Sequence, residues 1–147
     1  MRATKAWIWF RSLAVLLAIF AAGHTLGTAA PHVTRGAREA SLFDAMQSFR
    51  FPIMGFTRTY WEFYRGFAIT ISVLLFGLMV LAWQVGTFAK RAGRDALPMA
   101  VTLQCMCIAL FAVGCFFFFG GPIALSAAAT AVSTIAVINL SRAPSPG

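Results

Sequence analysis

Four ionisable side chains lie where an apolar chain could put them to use. His24 is the only histidine within an apolar run. An imidazole there can titrate near neutrality, carry a proton, or ligate a metal or haem. Arg58, Glu62 and Arg65 are spaced by four and three, so a helix running through them would carry all three on one face. Tyr60, Trp61, Phe63, Tyr64 and Phe67 surround these charges, a composition expected where a helix enters a bilayer. Two chemistries follow. Guanidinium groups beside aromatic rings suit an acidic lipid or ligand group. A carboxylate near an imidazole suits acid–base work, with Glu62 as general base beside His24. The plainer alternatives are that the three charges satisfy one another and lipid head groups, and that His24 hydrogen-bonds a neighbouring helix. The candidate ligand-binding set is His24, Arg58, Tyr60, Trp61, Glu62, Tyr64 and Arg65, and no residue is assigned as catalytic.

Metal and redox chemistry have little support. His32 follows His24 by eight residues across Pro31, and no further ligand cluster accompanies the pair. Cys105, Cys107 and Cys115 share one apolar run, and the first two point in different directions on a helix, so neither a metal clip nor a disulfide is expected. No metal and no cofactor are expected. The chain has no G-x-S-x-G elbow, phosphate loop, H-E-x-x-H or nucleotide fingerprint.

The elements that must position these residues are membrane helices. Hydrophobic residues make up 60% of the 147 and charged ones only 11%, against about 25% in a soluble domain. Mean hydropathy is +0.80. The net charge of +8 is carried at segment ends, which suits orientation against anionic head groups; no nucleic-acid partner is expected. Four spans are expected as a single membrane domain over the whole chain, at about 7–29, 64–88, 98–119 and 123–140. The first has an alternative reading as a secretory signal peptide ending at Thr28-Ala29-Ala30. As a retained helix it would bring Arg11 to the inner surface by snorkelling. Gly120-Gly121-Pro122 reads as a tight turn, and Ala124/Ala128 and Ala127/Ala131 as small pairs for close packing of the last helix. Gln104 reads as a hydrogen bond between helices.

Between the first two spans, Ser41-Leu42-Phe43-Asp44 matches a capping box. It would start a short amphipathic helix with Leu42, Phe43, Met46 and Phe49 on its apolar face, ended by Pro52 and lying on the membrane or on the rim of the bundle. Residues from Pro52 to Thr57 read as a turn. The fold class is therefore all-α, a four-transmembrane-helix bundle with a short amphipathic helix in the first extramembrane loop. Arg2, Lys5, Arg11, Lys90, Arg91, Arg94 and Arg142 would lie inside, and Arg35, Arg38, Arg50, Arg58 and Arg65 outside. The short basic segments place both termini in the cytoplasm. With Trp7 and Trp83 as markers of one interface, His24 would lie level with Gly66.

Gly23-His24-Thr25-Leu26-Gly27, followed by Arg58-x-Tyr60-Trp61-x-Phe63-Tyr64-x-Gly66-Phe67, resembles the motifs of a small bacterial family of integral membrane proteins with no assigned function. The resemblance covers the first two helices and the loop between them. It implies four helices and a bacterial inner membrane, and it supplies no activity. Arg65 stands where that pattern would carry an acidic or a small residue. The expected role is binding of a lipid, a lipophilic ligand or a membrane-protein partner, a second copy included, without catalysis. The alternative is a small intramembrane enzyme, of isomerase or proton-transfer type, using His24 and Glu62 on a hydrophobic substrate.

Overall fold

The computed structural model describes residues 5–143. Arg2 and the tail at Pro144–Gly147 lie outside the described residues. Five helices carry the fold: α1 (Ala6–Ala29), α2 (Ala37–Ser48), α3 (Tyr60–Ala92), α4 (Leu97–Phe117) and α5 (Gly120–Ser141). A short hairpin, β1 (Arg50–Ile53) and β2 (Phe56–Thr59), precedes α3. The described residues are all-α apart from that hairpin. Among the described residues three helical stretches, Ala6–Ala29, Tyr60–Phe117 and Gly120–Ser141, are long and apolar enough to cross a membrane, as befits a membrane protein.

Local chemistry sets the helix ends. Pro31 stands two residues past α1. α3 closes with Lys90 and Arg91 in its last turn, where cations favour the helix dipole. Gly93 then takes φ +56°, a left-handed stop that glycine adopts without a Cβ penalty, and opens a 3-10 turn through Ala96. Pro98 sits in the first turn of α4, where its missing N–H is no loss. The same rule corrects the expected turn at Gly120-Gly121-Pro122. All three belong to α5, with Pro122 in its first turn, and the connection is the extended pair Phe118–Phe119.

The chain groups into two compact units, one comprising residues up to Ala21 with those from Leu75 onward, the other Ala22–Leu74. In the first unit Phe10, Leu13 and Leu17 of α1 are fully buried with Ala82 and Val85 of α3, Leu103 and Cys107 of α4, and Ala136 and Leu140 of α5. Gly86 lets α1 approach closely, since a Cβ there would stand 3.0 Å from that of Phe10. Arg11 does not simply snorkel. Its guanidinium lies 3.2 Å above the centre of the Trp83 ring and donates to Thr87 Oγ1 at 2.8 Å. Lys90 meets Trp7, with Nζ 4.9 Å from the ring centre.

Along α4 and α5 the small-residue face differs from the expected one. Ala124, Ala128 and Ala131 are exposed, whereas Ser126, Ala129, Ser133, Ala136 and Leu140 are buried. The hydroxyls go inside because they find acceptors there. Ser126 donates to the Pro122 carbonyl at 2.8 Å, and Thr130 Oγ1 reaches the Cys107 carbonyl across the seam at 3.0 Å. Gln104 Nε2 donates to Thr134 Oγ1 at 3.0 Å, the interhelical bond expected of it.

In the second unit, α2 begins five residues earlier than its sequence suggested, with Gly36 and not Ser41 at the cap. Glu39, not Ser41, organises the start. One carboxylate oxygen accepts the Arg35 N–H, and the other lies 3.3 Å from His32 Nε2. Ser41 is inside the helix, and Pro52 does not end it but lies in β1. The expected apolar face is split: Phe43 packs on His32 and on Trp61, while Leu42 and Phe49 are each 57% exposed. The Arg35 N–H, chiefly, and His32 hold the Glu39 carboxyl below its usual range. A depressed pKa in the fold means that the link helps hold α2 above the ordinary carboxylate pKa, and is lost as pH falls through the depressed value. In an NMR titration the Arg35 amide shift should therefore follow a midpoint below the ordinary glutamate value, and Glu39→Gln should abolish the step. A midpoint at or above the ordinary value would contradict the link.

Candidate functional site

The candidate residues cluster around the start of α3, and the sequence builds that start as a capping box. Thr59 Oγ1 accepts the Glu62 N–H at 3.2 Å, and Glu62 Oε2 accepts the Thr59 N–H at 2.8 Å. Two otherwise orphaned donors are satisfied reciprocally, so Glu62 is a helix-starting group. Arg58 lies just before the cap, in β2, so the expected single helical face of Arg58, Glu62 and Arg65 does not form. Arg58 Nη1 donates to the neighbouring Thr57 carbonyl at 3.2 Å, and its guanidinium lies 5.5 Å from the Phe56 ring centre.

The aromatic residues part to two sides of α3. Tyr60 stacks with Phe49 and Phe51 at 5.9 and 4.8 Å between ring centres, and Phe51 also meets Phe63 at 5.7 Å. Trp61 takes Phe43 edge-on at 5.4 Å and stacks on Tyr64 at 5.4 Å. Each set borders a cavity. On the hairpin side an open groove of about 530 Å³ is walled by Ile53, Met54, Phe56, Phe63 and Phe67, with Arg58 and Glu62 along it. On the other side a cleft of about 190 Å³ is lined by Trp61, Tyr64 and Arg65 at one end and by Thr25 and Ser72 at the other, with Thr28 also on its wall.

His24 reaches this second cleft through Ser72. Its Nδ1 lies 3.1 Å from Ser72 Oγ, to which Thr25 Oγ1 donates at 3.0 Å. A serine hydroxyl has one proton and two lone pairs, enough to join both neighbours. The partner of His24 is thus Ser72, six residues past Gly66, or roughly 9 Å along α3. Glu62 lies ten residues before Ser72, a rise of roughly 15 Å. His24 and Glu62 therefore do not form an acid–base pair, which needs heavy-atom distances of about 3 Å or one bridging water.

Of the seven candidates, Trp61, Tyr64 and Arg65 share the cleft, with His24 behind its polar end. Arg58 and Glu62 line the groove, and Tyr60 belongs to the aromatic stack beside the hairpin. His32 is drawn to Glu39 and Phe43, not to His24. Among the described residues no cluster of three His, Cys, Asp or Glu side chains is placed to hold a metal ion. Sequence reasoning missed Ser72, Thr25 and Thr59. Thr59 was legible, since T-x-x-E opens an apolar helix there. Ser72 carries no local signal and is found only through the register of α1 against α3. Comparison with protein families, curated proteins and solved structures finds no match for this chain.

Proposed function

We propose that the chain is a four-span protein of the bacterial inner membrane, with both termini cytoplasmic, that binds one anionic amphiphile in the Trp61–Ser72 cleft and performs no catalysis on it. The four-span reading is supported by the break at Gly93. A single 58-residue helix from Tyr60 to Phe117 would rise roughly 87 Å, far beyond a hydrocarbon core of about 30 Å. Two spans joined by a basic turn with Lys90, Arg91 and Arg94 fit, and that turn belongs inside. Alkaline phosphatase fused after Ala40 should be active, and fused after Gly93 inactive; the reverse pair of results would overturn this orientation.

The binding reading is carried by one observation: the cleft joins a cation and an aromatic pair at one end to a hydroxyl–imidazole group at the other. Arg65 suits a phosphate or carboxylate. Trp61 and Tyr64 offer a rigid apolar wall. Ser72, seven residues or roughly 10 Å deeper on α3, suits a carbonyl or hydroxyl near the start of the ligand's chain. Native mass spectrometry of the extracted protein should show one retained amphiphile. Arg65→Glu should weaken retention about tenfold or more, as loss of a charged hydrogen bond worth about 1.5–3 kcal/mol requires. Retention unchanged by both Arg65→Glu and Ser72→Leu, in variants of normal helix content, would refute the assignment.

A further inference from the structure

The hairpin places an apolar side chain where backbone chemistry disfavours one. β1 and β2 pair antiparallel with Ile53 opposite Phe56, leaving Met54 and Gly55 as a two-residue turn. Both have positive φ, +48° and +84°. Turns of this kind favour Asn-Gly or Asp-Gly, because the first position also needs a left-handed conformation. Methionine is strained there, and its side chain meets almost nothing of the protein, at 94% exposure. Phe56 beside it is 62% exposed. A strained backbone that presents a bare apolar side chain calls for an occupant outside the unit.

The surroundings of the tip indicate which occupant. Ile53, Met54 and Phe56 share their groove with Phe63, Gly66, Phe67 and Thr70, so the hairpin lies along α3 and its tip reaches the first turns of the charge-free run that begins at Gly66. The exposed apolar face of α3 continues past the groove through Leu74. At the open end of the hairpin stand the backbones of Arg50 and Arg58, each four residues or roughly 13 Å from Met54 along its strand, and both side chains are exposed, the Arg58 guanidinium leaning tipward to 5.5 Å from the Phe56 ring centre. The one carboxylate on the groove, Glu62, is engaged by the Thr59 amide. Apolar tip, cationic base and lipid-facing helix thus follow one another in the order of a leaflet's acyl chains and phosphates.

We infer that Ile53–Phe56 is inserted into the lipid leaflet entered by the amino-terminal half of α3, with Arg50 on the phosphates of that leaflet and Arg58 reaching them from beside Phe56. The partner is bilayer lipid. The unpaired edges of a two-stranded ribbon confine the insertion to the interfacial depth, since hydrocarbon cannot satisfy them. The inference rests on α3 being a membrane span, not on the amphiphile cleft.

The test uses the full chain in lipid nanodiscs, with its three cysteines replaced and an environment-sensitive fluorophore on a single new cysteine at 54, 56 or 74. Nitroxides near the carboxyl end of the lipid chains should quench labels at 54 and 56, nitroxides near the chain terminus should quench them less, and aqueous iodide should not reach them. Position 74 controls for the span: a label there that no nitroxide quenches would refute the spanning reading itself. Quenching at 74 together with iodide access at 54 and 56 would overturn the insertion alone. Protection of 54 and 56 from both quenchers would overturn it in favour of a protein cover, a second copy included. Met54→Asn supplies a variant whose turn is better suited than the wild type, so folding is not at issue. It should move a label at 56 from the lipid-quenched to the iodide-accessible state, and an unchanged label would count against the proposal.

Discussion

Gly86→Leu should destabilise the protein by about 1–3 kcal/mol, the range for inserting side-chain volume into a packed core. Even the first carbon of the new side chain would sit 3.0 Å from Phe10 Cβ and 3.4 Å from the Trp7 carbonyl oxygen. Neither neighbour can swing away, because one is a Cβ and the other is backbone. Between membrane helices, where lipid chains are as apolar as the core, close packing of this kind is the main source of association. Gly77→Leu on the same helix is the matched control, since a Cβ there meets nothing within 4 Å. Equilibrium unfolding in detergent should show a clear loss for the first variant and little for the second. Equal losses would mean that the α1–α3 approach at Gly86 is not a stabilising contact.

The second large effect separates a structural carboxylate from a chemical one. Thr59→Ala should cost about 0.5–2 kcal/mol, the usual loss for a helix amino-terminal cap. Thr59 is buried, so the Glu62 N–H would also be left without its partner. Glu62→Ala should loosen the same first turn by removing the acceptor of the Thr59 N–H. Glu62→Gln should restore it, because glutamine serves a capping box as glutamate does. Amide exchange at the start of α3 reads all three. A general base would behave otherwise, since glutamine cannot take a proton. Loss of the first turn in Glu62→Gln would show that the negative charge, not the hydrogen bond, holds it.

The helices were legible because apolar runs of this length have few other uses. The spans expected at about 7–29 and 98–119 lie within a residue or two of α1 and α4. α3 begins earlier than expected because the Thr59–Glu62 box extends it past the apolar run. The hairpin was hidden: Met54-Gly55 is not a common turn pair, and Pro52 read as a helix terminator where it is a strand residue. The site was only partly legible. Aromatic and basic types near Arg58 marked the region, but helical spacing extrapolated back to Arg58 put on one face residues that the hairpin and α3 divide between a groove and a cleft. His24 was placed level with Gly66 by treating two tryptophans as markers of one depth. Trp7 in fact meets Lys90, seven residues past Trp83 on α3, and Trp83 lies under Arg11. Indole rings stack on cations wherever the register offers them, so their depth follows packing as well as the interface.

A photoactivatable anionic fatty acid, mapped onto the chain in nanodiscs, distinguishes a specific amphiphile cleft beside α3 from general contact with lipid. Labelling within Thr25–Ala29 and Trp61–Val73 should saturate with probe concentration and disappear in Arg65→Glu. Labelling of the hairpin tip and of lipid-facing positions on α4 and α5 should instead rise with probe concentration without saturating. Adducts that rise in the same non-saturating way along every lipid-facing helix, with no component lost in Arg65→Glu, would mean that the Trp61–Ser72 cleft holds no specific amphiphile.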